Sequence, residues 1–349
     1  MTDLKPRPVT RVTDTAARLT RADYSHGMSP LPHAFAFDPT HGRALDDLLA
    51  LGAPPVPADF DVFWRALRAA ARRVPPRPRL VRAVEERDGH RIHEVTYDSL
   101  GGRCHALLAL PVDDRAQHGF VIGHGYGGRA DVGAELPLPL PGSAAILPIA
   151  PGLPTLGVRP GVPSDPAEHV LHGIAARETY VLGDCVAGLW GAASALLELV
   201  PSLEGRLGYL GESFGGGIGA LALPWDDRFG AARLTVPTFG NHPLRLTLPC
   251  TGSGEAVRDH VRAHPEAVEV LAYFDAATAA TRIRVPVLAA CALFDPAVPP
   301  PGQFAVYGAL GGPRRLEVLE AGHFAWEGEA SERRSLDRAT RDFFRRELL

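Results

Sequence analysis

The chain has 349 residues, 22% of them charged, with a formal net charge of -4. That length can bury a large single core, and the near balance of charge excludes the clustered basic face of a nucleic-acid binder, so no nucleic-acid partner is expected. Four cysteines, Cys104, Cys185, Cys250 and Cys291, stand far apart with no C-x-x-C pair, which argues against a disulfide framework or a zinc site and for buried free thiols.

The stretch Met1 to Thr20 carries Lys5, Arg7, Arg11 and Arg18 and has no apolar core of signal-peptide length. No stretch approaches the about 18 consecutive apolar residues of a membrane span, so a cytoplasmic protein without a membrane partner is expected. Residues 1–57 scatter Pro, Gly and Asp and read as an N-terminal extension, mostly loop, with one short helix near Ala44 to Leu51. The main body is expected over 58–349.

Asp59 reads as the N-cap of a helix with Phe60, Phe63, Trp64, Leu67, Ala71 and Val74 at helical spacing and Pro75-Pro76 as its stop. Its aromatic stripe suits core packing. His93 to Ser99 and Cys104 to Leu110, separated by Gly101-Gly102, read as a hairpin. Phe120 to Ile122 is a short strand running into His124-Gly125-Tyr126-Gly127-Gly128, and Ser143 to Ala150 is a buried strand followed by a Pro- and Gly-rich loop to Pro166. Glu178 to Val200 has helical spacing through Leu182, Val186, Leu189, Ala193 and Leu196, and Arg206 to Leu210 is the next strand. This alternation predicts an α/β fold, a mostly parallel sheet with helices on both faces. Residues 241–281 interrupt it with a loop and a helical stretch, Glu255 to Phe274, and read as a cap-like insertion over the C-terminal edge of the sheet. Arg284 to Cys291 resumes as a buried strand that delivers Asp295, Arg315 to Leu319 leads to Glu320-Ala321-Gly322-His323, and Ser331 to Leu348 is a closing helix.

Gly211-Glu212-Ser213-Phe214-Gly215 fits a nucleophile elbow between the strand Arg206 to Leu210 and a helix over Ile218 to Leu223. G-x-S-x-G alone is a weak signal in a chain with 37 glycines, and its strand-to-helix context is what strengthens it. Side chains in place of the flanking glycines would collide with neighbouring backbone, and Gly216, Gly217 and Gly219 let the helix approach the sheet. A parallel sheet brings the C-terminal ends of its strands to one edge, so Ser213, Asp295 and His323 can converge as nucleophile, acid and base in the chain order of an α/β-hydrolase. The loop at Tyr126 reads as the source of one oxyanion-hole amide, with a plain tight turn as the alternative. His169 and His172 lack a third ligand at metal spacing, so no metal is expected, and no cofactor. They are placed in a loop near the site's mouth, Asp226 and Asp227 are read as turn formers, Asp275 lies near the end of the insertion helix, and His124 is read as a loop anchor.

Taken together, residues from Phe37 to the C-terminus resemble the acetyl xylan esterase and cephalosporin C deacetylase family of α/β-hydrolases, carbohydrate esterase family seven. The resemblance rests on Asp59-Phe60-Asp61-Val62-Phe63-Trp64, His124-Gly125-Tyr126, Glu178-Thr179-Tyr180, Gly211 through Gly217, Tyr273-Phe274-Asp275, Phe294-Asp295 with Val298-Pro299-Pro300, and Gly322-His323, in that order. It implies a serine esterase removing short acyl groups from acetylated carbohydrates or similar small esters, with Ser213, His323 and Asp295 catalytic and the amides of Tyr126 and Phe214 forming the oxyanion hole. It further implies substrate contacts at Gly125, Tyr126 and Pro299, and a homo-oligomer, commonly a hexamer with its sites facing an internal cavity. Two positions depart from the family. Pro151-Gly152-Leu153 stands where Arg-Gly-Gln is usual, which leaves the polar anchoring of that loop open, and Phe214 stands where Gln is common, which keeps the backbone N–H and is expected to make the acyl side more apolar. A serine peptidase or acylaminoacyl hydrolase with the same triad, and a non-catalytic binding protein on the same fold, are the alternatives; the chain is too short for a propeller-like domain, and no triad member is missing.

Overall fold

The computed structural model describes residues 31–349, so the reading of Met1 to Thr20 lies outside the described residues. Short apolar runs buried on both faces dictate the centre of the fold. Every residue of Ser143–Ile149 and Val287–Phe294 is buried, which suits strands covered on both sides rather than on one.

In chain order the described elements are α1 (Leu45–Leu49), α2 (Phe60–Arg72), β1 (Arg79–Arg87), β2 (His90–Ser99), β3 (Gly102–Pro111), β4 (His118–Gly123), β5 (Ser143–Ile149), α3 (Pro166–His169), α4 (Val181–Leu199), β6 (Leu207–Glu212) and α5 (Phe214–Ala222). They continue with β7 (Phe229–Thr235), α6 (His242–Arg245), α7 (Ser253–Ala263), α8 (Ala267–Leu271), α9 (Ala276–Ala280), β8 (Val287–Phe294), α10 (Pro300–Ala309), β9 (Arg314–Ala321) and α11 (Glu329–Leu348). The strands form a nine-stranded sheet in the order β1-β2-β3-β5-β4-β6-β7-β8-β9. The pairs from β1 to β5 are antiparallel, and those from β5 through β4 to β9 are parallel. This is the α/β-hydrolase architecture read from the sequence. The chain steps from β4 to β5 on one side and to β6 on the other, so a crevice opens at the C-terminal ends of β4 and β6, where such sheets place their sites.

Successive strand residues face opposite ways. A Cβ built on Gly119 would meet Leu196 and Leu203 beside α4, while the ring of Phe120 packs against Phe344 of α11 at 5.1 Å, so α4 and α11 cover opposite faces. Helix α4 is apolar all round, as a buried helix is; it is long and apolar enough to cross a membrane, and 72% of that apolar window is buried inside the fold. Helix α2 packs its aromatic stripe as the sequence suggests, with Trp64 fully buried, stacked on Trp225 and donating from Nε1 to the Tyr273 carbonyl at 2.8 Å. All four cysteines are free and buried.

Several local expectations need correction. Asp59 occupies the N-cap position of α2, but its side chain makes no capping bond; the carboxylate is taken by Arg177 at 2.7 Å and by the Tyr273 hydroxyl, a charge-assisted set stronger than a local amide. The insertion does not carry one helix over Glu255 to Phe274. Helix α7 ends at Ala263, since Pro265 holds its neighbour out of helical geometry, and the chain restarts in the short α8. Asp226 does form a turn, its carboxylate accepting from the Arg228 amide at 3.3 Å, but its side chain is also fully buried between the guanidinium groups of Arg68, at 3.1 Å, and Arg228. Asp275, also fully buried, caps α9 through the Thr278 amide at 2.8 Å and takes the His242 amide.

The glycines after the elbow are set by contact. A Cβ built on Gly219 would lie 2.1 Å from the ring of the fully buried Tyr209. Gly219→Ala gains about 1 kcal/mol of helix propensity and loses about 1–3 kcal/mol to overpacking. A lower urea midpoint is therefore expected, and an unchanged or higher one would show that the Tyr209 ring yields freely.

Candidate active site

Strand β6 ends at Glu212, and the next residue has the backbone φ 54°, ψ −113° of no regular element. A non-glycine residue at positive φ is strained, by about 1–3 kcal/mol, and here the neighbours over-determine it. The Ser213 N–H donates to the Thr235 carbonyl at 2.9 Å, and its own carbonyl accepts from Gly217 at 3.0 Å and Thr238 at 3.2 Å. Only glycine fits on either side. A Cβ on Gly211 would lie 2.4 Å from the Gly215 carbonyl oxygen, and one on Gly215 would lie 2.7 Å from the Gly123 backbone.

Asp295 follows the last residue of β8 and is fully buried. One carboxylate oxygen accepts from the Ala297 and Val298 amides, both at 2.9 Å; the other accepts from His323 Nδ1 at 2.8 Å and Gln303 Nε2 at 3.0 Å. Gly322 makes room for it, since a Cβ there would sit 2.4 Å from that second oxygen. An ionised carboxylate only accepts, so His323 carries its proton on Nδ1 and presents a bare Nε2, 2.8 Å from the Ser213 hydroxyl oxygen. Burial disfavours the charged imidazole, but the hydrogen bond and charge of Asp295, with a smaller contribution from the charge of Glu212, outweigh it and raise the His323 pKa above 6.5. The His323 side chain keeps 28% exposure, so solvent and substrate reach it.

The loop after β4 faces this serine. A Cβ built on Gly125 would lie 4.0 Å from the Ser213 Cβ. The ring of Tyr126 packs on Phe214 at 4.4 Å, and the Phe214 amide is the first of α5, one of the donors that a helix start leaves without an intrahelical partner. His124 ties the loop down: its Nε2 accepts from the Ala150 amide at 2.9 Å, its Nδ1 donates to the Gly125 carbonyl, and its own carbonyl accepts from Gly215 at 2.8 Å. Burial, followed by smaller effects, pushes its pKa down to about 4, so it stays neutral.

The structure thus brings Ser213, Asp295 and His323 into one hydrogen-bonded row and sets Gly125, Tyr126 and Phe214 beside it. Pro299 lies buried at the N-cap of α10, just past the turn whose amides hold Asp295. The Phe214 ring is 2% exposed and turned inward among Tyr126, His124 and Phe239, where it lines a cavity together with Cys185 and Ile218. His169 is not at the mouth but fully buried, within 3.1 Å of the Tyr126 hydroxyl. The sequence reading misses Gln303, which donates to Asp295 and to the Val298 carbonyl while accepting from Ala292 at 2.8 Å. A lone amide inside the otherwise apolar Pro300-Pro301-Gly302-Gln303-Phe304-Ala305-Val306 run is the signal that could have found it. Among the described residues no group of three or more His, Cys, Asp or Glu could hold a metal ion. A serine oxygen facing a bare imidazole nitrogen, with a buried carboxylate behind it, can deliver the serine as a nucleophile to a carbonyl carbon.

The family model for acetyl xylan esterase (AXE1) matches residues 44–334. The chain is similar in structure to an acetyl xylan esterase from Paenibacillus sp. R4, with a TM-score of 0.69 and 22% identity over 85% of this chain and 99% of the other. Acetyl xylan esterase 1 from Thermoanaerobacterium sp. JW/SL YS485 gives a TM-score of 0.74 and 20% identity over 87% and 99%. An acylaminoacyl peptidase from Pyrococcus horikoshii gives 0.60 and 17% over 74% of this chain but 42% of that one. At these identities the structural likeness establishes the fold.

His323 offers a direct check of the electrostatics. Its pKa is raised, so its contribution to stability is fully present below about 6.5 and is lost as pH rises through the folded-state value. NMR titration of the His323 imidazole is expected to show a midpoint above 6.5 in the wild type and a lower one in Asp295→Asn; equal midpoints would remove Asp295 as the cause.

Proposed function

The chain belongs to the acetyl xylan esterase family, and from that premise we propose that it is a serine esterase removing acetyl groups from small acylated carbohydrates or similar esters, with Ser213 as nucleophile. The observation that carries the reading is the row Asp295–His323–Ser213, joined by two hydrogen bonds of 2.8 Å with every donor and acceptor role fixed.

The chemistry runs in two halves. In the first, His323 Nε2 takes the Ser213 proton as the serine oxygen bonds to the acyl carbon, and the carbonyl π pair moves onto oxygen. The amides of Tyr126 and Phe214 hold that oxyanion, each worth about 3 to 4 kcal/mol in the barrier. Asp295 stabilises the imidazolium and keeps its orientation, and Gln303 keeps Asp295 in place. The oxyanion then collapses, the C–O bond to the sugar breaks, and the departing alkoxide takes the proton from His323. In the second half a water gives its proton to His323 and attacks the acyl carbon, and Ser213 leaves with that proton, releasing acetate.

Hydrolysis of p-nitrophenyl acetate and butyrate, and of acetylated xylo-oligosaccharides, should be measured for the wild type beside Ser213→Ala. Acetate favoured over butyrate and a loss of about 10⁴-fold or more in the variant are expected. Equal rates in the two proteins would sink the assignment of Ser213.

A further inference from the structure

Between His124 and Arg129 the chain reads Gly125-Tyr126-Gly127-Gly128. Fixing each backbone residue costs about 1–2 kcal/mol, and glycine loses the most freedom, so this stretch needs anchors. Its ends have them. His124 is bound on three sides as described, and the Arg129 amide donates to the Pro154 carbonyl at 2.8 Å. In the middle, Gly128 bonds back to the Gly125 carbonyl at 3.2 Å, and Tyr126 has the one side chain that can hold the peptide planes still.

We infer that His169 is a positioning residue for this loop: through the Tyr126 hydroxyl it fixes the orientation of the Tyr126 amide beside Ser213. The inference rests on the esterase reading above. His169 is fully buried at the end of α3, and its Nε2 lies 2.8 Å from the Pro151 carbonyl oxygen, its Nδ1 3.1 Å from the Tyr126 hydroxyl. A carbonyl only accepts, so Nε2 carries the proton and Nδ1 is bare. The tyrosine O–H must therefore be the donor. Burial lowers the His169 pKa and raises that of Tyr126, which keeps both groups in these states.

The slot is shaped for the imidazole. Gly152 has φ +91°, and a Cβ there would lie 2.9 Å from His169 Cδ2. Pro151 and Leu153 bring no polar side chain to this loop; besides its bonds to His124 and Arg129, it is tied by the His169 imidazole and by the Ser164 hydroxyl, which donates to the Gly152 carbonyl at 2.8 Å. The imidazole thus joins the loop after β5 to the loop after β4. The Tyr126 ring then passes the constraint to Phe214, whose ring it touches, so both proposed oxyanion donors belong to one packed unit.

Tyr126→Phe, His169→Phe, the double variant and His169→Gln are assayed with p-nitrophenyl acetate beside the wild type, with thermal melts of each. Each Phe variant is expected to lose about 10- to 100-fold in kcat with KM within about twofold, as misplacement of a transition-state donor does. The double variant is expected to be no worse than either single one, because both remove the same bond. His169→Gln, which offers an acceptor and a donor, is expected to recover part of the loss. A kcat for Tyr126→Phe within about twofold of wild type, losses that multiply in the double variant, or a loss confined to KM would each overturn the inference. If His169→Phe fails to fold, Tyr126→Phe decides alone, since it deletes a single oxygen. A wild type that does not turn over the ester would refute the esterase reading itself, whereas an active wild type with indifferent variants refutes only the role of His169.

Discussion

One backbone conformation organises the site: Ser213 at positive φ between a strand and a helix. The turn is strained, and it holds only because Thr235, Thr238 and Gly217 bind its peptide groups and because glycines at 211 and 215 let β4 and α5 close in. The same closeness sets the rest. The Gly215 amide donates to the His124 carbonyl, and the Tyr209 hydroxyl donates to the Gly215 carbonyl at 2.6 Å, so hydrogen bonds join the elbow, the loop after β4 and the core beneath them. A nucleophile held this way needs little reorganisation when it reacts.

Three histidines show how environment divides one residue type into different tasks. His124 and His169 are buried without a carboxylate partner; burial lowers both pKa values, and each serves as a neutral donor–acceptor bridge, His124 between two backbone groups and His169 between the Pro151 carbonyl and the Tyr126 hydroxyl. His323 is buried enough to be penalised for charge, yet Asp295 reverses the sign and raises its pKa. The separation is what the proposed acid–base chemistry needs: the environment of His323 favours taking up a proton, and those of His124 and His169 favour the neutral form.

The strands before Ser213 and Asp295 were legible as short apolar runs that end in polar residues, and the one before His323 as Leu316 and Val318 alternating with Arg315 and Glu317; a parallel sheet carries all three ends to the same edge. Strand β7 was not, although it lies between β6 and β8. Its Phe229-Gly230-Ala231-Ala232-Arg233-Leu234-Thr235 lacks the β-branched signature and is held by neighbours that sequence cannot show. Strand β1 was hidden by its charges: it is an edge, with Leu80 and Val81 exposed. Helix α10 was masked by Pro300-Pro301-Gly302, which reads as loop until Pro is allowed at the first helical position. Side-chain destinations were the least legible. Asp59, Phe214, His169 and Gln303 all take partners far away in sequence or behind the visible motif, and local pattern carries no record of such pairs.

The proposed reaction turns on a covalent step at one oxygen. The most direct measurement is to acid-quench the wild-type protein during turnover of an acetyl ester, digest it, and locate any acetyl group by mass spectrometry. The acetyl is expected on the peptide containing Ser213, at Ser213 itself, and gone once substrate is exhausted. Steady release of acetate with no acetylated peptide trapped, or an acetyl group resident on another residue, would contradict it.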